Sequence, residues 1–354
     1  MTDPHSHPIH RRRFLKGAAA GLVVLPHAGM GLALSGFGSP LPGSQVSGPD
    51  AASLGTKARV PRSTVALIRT RDRKAGTARA MALMNPTGMA GKHVVIKPNF
   101  NTADPAPAGT HNDVLAQIVT EIQERNAREI TLGESSGPPE TRGVMEQKGI
   151  FDMARDMGFG VVNFDEMPED DWVHLMPAGT HWPEGFHLPR QVVNAEFLVS
   201  TCCLKTHGFG GVFTMSLKSA VGLTPKPIRR GMHRSPDMRR MIAELNQGYQ
   251  TQLILVDGVE AFTDGGPTRG EMKEGNVIIA GTDRVAVDAV GLAVLKELGS
   301  NEDVMGQGIF EQEQMARAVE VGLGISGPEQ IDLVSDDDEG RAYAATLQGI
   351  LAKG

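Results

Sequence analysis

The apolar positions of this chain gather in short β-prone runs separated by segments of helical period. Strands are predicted at Ser63–Ile68, His93–Asn99, Gly160–Phe164, Leu253–Gly258, Asn276–Gly281 and Ile331–Val334. Glu129–Gly137 reads as a strand running into a turn, and Phe197–Leu204 as a buried strand ending in Lys205-Thr206-His207. Between these runs Lys74–Met84, residues 112–126, Thr141–Met157, Asp237–Asn246 and Asp283–Leu298 read as helices. Val114, Ile118 and Ile122 fall on one helical face, and Asn112 or Asp113 is the expected N-cap. Pro98 stops the second strand.

Strands alternating with helices imply an α/β fold, a mostly parallel sheet with helices on both faces. Such a sheet opens its ligand crevice at the carboxyl ends of its strands. Residues 165–191 hold both tryptophans and several prolines and form an irregular excursion with room for a hairpin. His174, His181 and His187 lie there in no ligand spacing, so they read as surface histidines. Arg229–Pro236 reads as a basic loop, and Asp336–Glu339 as a solvated acidic turn.

The 354 residues are 40% hydrophobic but only 5% aromatic, so the core must be aliphatic and methionine-rich. The formal net charge is −6, and residues 1–35 carry +3 through Asp3, Arg11, Arg12, Arg13 and Lys16. Taking that +3 from the total leaves −9 on the rest. An acidic body argues against nucleic-acid binding and makes any cluster of lysines a local feature. The two cysteines, Cys202 and Cys203, are adjacent on a strand, face opposite sides and read as buried small apolar residues.

The N-terminus reads as an address. Arg11-Arg12-Arg13-Phe14-Leu15-Lys16 precedes the weakly apolar Gly17–Leu25 and resembles a twin-arginine export signal. The apolar run is too short for a stable membrane span. Residues 1–35 are therefore expected to be a signal peptide recognised by the twin-arginine translocation machinery. Residues 36–61, rich in Gly, Ser, Pro and Ala, read as a linker, with one α/β domain over 62–354. The expected location is periplasmic or otherwise exported.

The polar residues that carry chemistry share a placement. Lys97 and Asn99 end one predicted strand, Glu134 and Ser135 another, Lys205 and His207 a third, Asp257 a fourth, and Thr282-Asp283 a fifth. Lys205 and His207, two apart, face the same side of an extended chain. Lys97, Lys205 and Lys218 would hold an anion as point charges. Gly208, Gly210 and Gly211 would let backbone N–H groups approach it, helped by a following helix N-terminus. His207 suits proton transfer or metal ligation, and His233 in the basic loop is a further binding candidate. A divalent metal would fall to His207, Asp257 and Asp283. The bland alternative for Asp283 is a helix cap, with Asp288 on the helix behind it. No P-loop or dinucleotide fingerprint is present.

Ile96-Lys97-Pro98-Asn99, Leu204-Lys205-Thr206-His207, Ser216-Leu217-Lys218 with Gly222, Val256-Asp257-Gly258 and Ala280–Asp288 occur in an order that resembles the domain-of-unknown-function 362 family. Ser219 stands where that family often has Asn after the lysine. Some of its members carry a ferredoxin-like cysteine module. This chain has none, so the resemblance implies no iron–sulfur cluster. The resemblance implies fold extent and site positions but no reaction.

Three functions are compatible with these residues. The first is an exported protein that transforms a small anionic molecule, with His207, Lys205 and Asp257 as the catalytic group and Lys97, Asn99, Glu134, Lys218 and His233 binding the substrate. The second is a non-catalytic binding or cofactor-handling protein that uses the same pocket. In the third, the lysines form buried ion pairs that serve structure alone.

Overall fold

The computed structural model describes residues 62–354. The export signal expected at 1–35 and the linker at 36–61 lie outside the described residues. The strands are β1 Ser63–Arg69, β2 His93–Lys97, β3 Glu129–Glu134, β4 Gly160–Asn163, β5 Trp172–Leu175, β6 Phe186–Pro189, β7 Phe197–His207, β8 Val212–Thr214, β9 Leu253–Gly265, β10 Gly270–Gly281 and β11 Ile331–Val334.

Nine of them form one sheet in the order β11-β1-β10-β9-β7-β2-β3-β4, with β8 paired to β7. Pairing is parallel from β9 through β7, β2 and β3 to β4, and again between β1 and β11. β10 runs antiparallel to both β1 and β9, and β8 antiparallel to β7. The sheet is thus mixed but mostly parallel, an α/β fold as the alternation of elements implied. β5 and β6 form a separate antiparallel hairpin inside the excursion.

The central strands are apolar on both faces because both faces are covered. On β1, Val65 and Leu67 face one core while Ala66 and Ile68 face another. β10 divides in the same way, Val277 and Ile279 against Ile278 and Ala280. Helices Arg73–Met84 and Asn112–Glu124 cover one face. Helices Arg284–Leu298 and Asp338–Leu351 cover the other. A third cluster packs Val95 and Leu198 against Phe164, Trp182, Phe186 and the helix Met238–Leu245.

Several local expectations change. The helix expected over Thr141–Met157 is two helices, Thr141–Gln147 and Ile150–Met157, parted at Gly149, whose φ of 68° is left-handed. Helix Asn112–Glu124 is capped by neither Asn112 nor Asp113. His111 Nδ1 accepts the Asp113 N–H at 3.0 Å. The basic loop is largely helix, Lys226–Met232, with Pro227 in its first turn. The strand predicted at Leu253–Gly258 runs on to Gly265, and the one at Asn276–Gly281 begins at Gly270. Together they make a long hairpin around Gly266 and Pro267.

Candidate functional site

The parallel strands β2, β3 and β7 end on one side of the sheet, and their last residues meet there. A cavity of about 60 Å³ is lined by Asn99, Glu134, Lys205, His207, Lys218 and Arg229, among others. Lys97 lies immediately behind it. A Cβ added to the lining residue Gly222 would stand 2.9 Å from both Lys97 Nζ and Glu134 Oε1.

The carboxylate of Glu134 is fully occupied. Its Oε1 lies 2.8 Å from Lys97 Nζ and accepts the Ser135 N–H. Its Oε2 accepts the Phe100 N–H at 2.8 Å. Burial pulls the Lys97 pKa down, and Glu134 opposes that shift. Lys97 therefore has the buried partner that a structural ion pair requires.

Lys205 and Lys218 have no such partner. Lys205 is fully buried and donates to Asn99 Oδ1 at 3.0 Å and to the Ala108 carbonyl at 2.5 Å. Both acceptors are neutral, and burial draws its pKa down to about 8. Lys218 is 8% exposed. Its ammonium has no hydrogen bond or ion pair among the described residues. Burial, then the nearby charges of Lys205 and Arg229, bring its pKa to about 7.

His207 is 6% exposed, and its Nδ1 is buried without a hydrogen bond. Burial first, then Lys218, His233 and Lys205, hold its pKa down to about 2, so the imidazole is neutral. It shares the space over Gly211 with Lys218: a Cβ on Gly211 would be 2.7 Å from Lys218 Cε and 2.9 Å from His207 Nδ1. A side chain at this position would push one of them aside. The glycine loop leads into β8, where Lys205 registers with Thr214 and His207 with Val212.

Lys218 rides on a one-turn helix, Ser216–Ser219. The helix N-terminus expected to bind an anion is already filled by Asp288. One oxygen of that carboxylate accepts the Ser216 N–H at 2.7 Å and the other the Leu217 N–H at 3.0 Å. Burial raises the Asp288 pKa to about 7 against those two bonds. Asp288 lies in the deeply buried helix Arg284–Leu298, so it fixes the short helix of Lys218 to the core of the fold.

Arg229 was not singled out from the sequence, although the helix-starting Lys226-Pro227 that carries it is readable. Its guanidinium donates to the Ser136 carbonyl at 2.7 Å, to the Ser135 carbonyl at 3.2 Å and to the Ser135 hydroxyl. Its buried Nε makes no hydrogen bond. Asp165, also missed, anchors this corner through Lys226 at 2.7 Å and the Ser135 and Thr141 hydroxyls. Although burial opposes it, these donors hold the Asp165 carboxyl below its usual range. His233 stands at the rim, its ring centre 6.5 Å from that of His207 and its Nδ1 2.7 Å from the Arg229 carbonyl oxygen.

Asp257 and Asp283 do not join this group. Asp257 lies within β9, not at its end. It accepts from Arg73 Nε at 2.7 Å and from the Val259 N–H, away from the cavity. Burial raises its pKa against Arg73. Asp283 follows the antiparallel β10, so it emerges at the opposite edge of the sheet. There it caps helix Arg284–Leu298 by accepting from Val285 and Ala286 N–H, and it also takes the Ile325 N–H. Among the described residues no group of three His, Cys, Asp or Glu side chains is placed to hold a metal ion. His174 and His187 stack on each other across the β5–β6 hairpin, and His181 bonds Glu244. Cys202 and Cys203 are buried and free. Burial raises both thiols, Cys203 to about 12.

A model of the family described as "Domain of unknown function (DUF362)" matches residues 94–293, more than half of the chain. The chain belongs to this family. The DUF362 match spans every residue of the cavity named above, from Asn99 to Arg229, together with the Asp288 anchor. A relative within the curated proteins is the thylakoid-associated protein sll1697 of Synechocystis sp., 24% identical over 252 residues, which are 66% of this chain and 74% of that protein. Among solved structures the chain is similar to the lactate racemase apoprotein from Thermoanaerobacterium thermosaccharolyticum. That match has a TM-score of 0.42 and 13% identity, and it covers 79% of this chain and 85% of that one. At that score the likeness is too loose to transfer any feature of the site. Among the described residues of this DUF362 chain no helix is long and apolar enough to cross a membrane.

Proposed function

We propose that the chain binds a small anionic molecule between Lys205, Lys218 and Arg229, with His207 beside it. One observation carries the reading: Lys218 is buried without a counter-charge among the described residues. Among the described residues the only carboxylate lining the cavity, Glu134, is taken by Lys97 and two backbone N–H groups. An isolated buried ammonium is costly unless it is paired or neutralised. An entering anion supplies the missing charge. The cavity of about 60 Å³ suits a compact group such as a carboxylate or phosphate, well below the size of a drug-like ligand site.

The structural reading of the lysines fits Lys97 alone. The unbonded Nδ1 of His207 favours transformation over simple storage, because a neutral imidazole beside a bound anion can accept or relay a proton. The test is calorimetric titration with acetate and with inorganic phosphate near pH 6.5. Lys218→Met is expected to weaken binding by about ten- to a hundredfold, the worth of one charge-assisted hydrogen bond. Equal affinity in the variant, or no binding by the unaltered chain, overturns the reading.

The exported location is part of the same proposal. It is supported by Arg12-Arg13-Phe14-Leu15-Lys16 ahead of an apolar run and by a relative described as thylakoid-associated. Replacing Arg12 and Arg13 by Lys should retain the chain in the cytoplasm. Unchanged export in cells lacking the twin-arginine machinery would remove this part.

A further inference from the structure

The two unpaired lysines are not equivalent. Lys205 is held by Asn99 Oδ1 and the Ala108 carbonyl, so it is oriented as a hydrogen-bond donor. Lys218 is tethered to nothing beyond its own short helix, and that helix is pinned by Asp288. Its amine therefore has a fixed base and a free head, in a cavity that also holds an imidazole with an unbonded Nδ1. Charge-assisted pairing would explain one lysine in such a cavity. It does not explain why the second has no acceptor of any kind among the described residues.

From this placement we infer that Lys218 is a nucleophile that forms an imine with the carbonyl of an α-oxo acid whose carboxylate rests on Lys205 and Arg229. The inference rests on the anion-binding reading above and names its substrate class. A lysine desolvated beside other cations is the environment that yields a neutral, reactive amine near neutral pH. The pKa of about 7 agrees with that environment. An α-oxo acid places its carbonyl one bond from its carboxylate, which matches adjacent lysines in a cavity of about 60 Å³.

The step balances without an oxidant or reductant. The Lys218 nitrogen adds its lone pair to the carbonyl carbon, and the carbonyl oxygen takes up a proton. The resulting carbinolamine loses that oxygen as water, and the nitrogen gives up its remaining extra proton to leave a C=N bond. His207 carries protons between the Lys218 nitrogen and the departing oxygen.

The test uses the full chain with pyruvate as probe and propionate as the carbonyl-free control. Each is titrated calorimetrically, then incubated with and without sodium borohydride and weighed intact. The expected result is a borohydride-dependent gain of one pyruvate less one water plus two hydrogens. Peptide mapping should place it on Lys218, and it should be absent in Lys218→Met. Should that variant fail to fold, the peptide map of the unaltered chain decides. If pyruvate and propionate both bind but borohydride traps nothing, or traps only other lysines, the imine is refuted and the anion site stands. If neither ligand binds, both readings fall together.

Discussion

Lys97 and Glu134 neutralise each other inside the fold, Nζ to Oε1 at 2.8 Å, with both side chains almost fully buried. That pairing is what leaves the cavity beside it cationic. Removing one partner strands the other, whereas removing both does not. Glu134→Gln is therefore expected to lower stability by about 3–5 kcal/mol in urea unfolding. The double variant Lys97→Met/Glu134→Gln should lose clearly less than the two single losses combined. Additivity within about 0.5 kcal/mol would show that the two residues are not coupled.

The ligand-free chain should become more stable as the solution becomes more alkaline. Lys218 titrates at about 7 in the fold against 10.5 ordinarily. Between those values the unfolded chain binds the additional proton, so stability rises with pH across that window. Below about pH 7 both states are charged and the burial penalty is complete. Urea midpoints from pH 7 to 9 in a buffer without small anions should show the rise. That window lies above the Asp288 transition near 7 and below the ordinary thiol value of 9, past which the raised Cys202 and Cys203 work the other way. Lys218→Met should keep only the part due to Lys205, which titrates at about 8, and to Lys97 and Lys148, which burial also pulls down. A flat profile for the unaltered chain would mean that Lys218 is paired.

Anion affinity should run the other way. Binding draws on the charged forms of Lys218 and Lys205, so it weakens as the pH rises through about 7 to 8. Past that range a bound anion linked to one proton loses about tenfold in affinity per pH unit. Acetate titrations at pH 6, 7.5 and 9 separate this from a pH-independent site. His207 contributes no slope in that range, because its pKa lies near 2.

Eight of the eleven strands among the described residues and most of the cavity were legible in the chain, whereas β8 and the two strands of the β5–β6 hairpin were not assigned. Lys97 and Glu134 end β2 and β3, Asn99 follows β2, and Lys205 and His207 lie in the last three residues of β7, so parallel strand ends and cavity coincide. The rule failed at Asp283 for a topological reason. β10 is the return arm of a hairpin, and its end faces the other way. Gly265-Gly266-Pro267 between two β-prone runs was the available sign of that hairpin. Asp257 misled because β9 continues past it, and nothing local shows that a buried strand extends into a hairpin arm. The link from Asp288 to Lys218 joins residues far apart in sequence, which a single chain does not display.

Asp288 should behave as a positioning residue. Its two oxygens satisfy the Ser216 and Leu217 N–H groups in a fully buried setting. Asp288→Ala leaves both donors unbonded, at about 1–3 kcal/mol each, and frees the short helix that aims Lys218. Acetate binding should weaken along with stability. Asp288→Asn keeps one acceptor oxygen and should restore part of both. Loss of stability with unchanged binding in Asp288→Ala would place Lys218 independently of this anchor.

Gly222 tests how tightly the Lys97–Glu134 pair supports the cavity. A Cβ at this position would lie 2.9 Å from Glu134 Oε1, 2.9 Å from Lys97 Nζ and 3.2 Å from Lys97 Cε. Both side chains are buried and bonded, so neither can swing aside without breaking the pair. Glu134 would also have to release the Phe100 or Ser135 N–H. Gly222→Ala is expected to destabilise the chain by about 1–3 kcal/mol, the usual cost of overpacking. Its effect should shrink in the Lys97→Met/Glu134→Gln background, where the crowded ammonium and its partner are gone. An undiminished loss there would trace the strain to backbone neighbours instead. A neutral Gly222→Ala would mean that Lys97 and Glu134 yield more freely than their contacts imply.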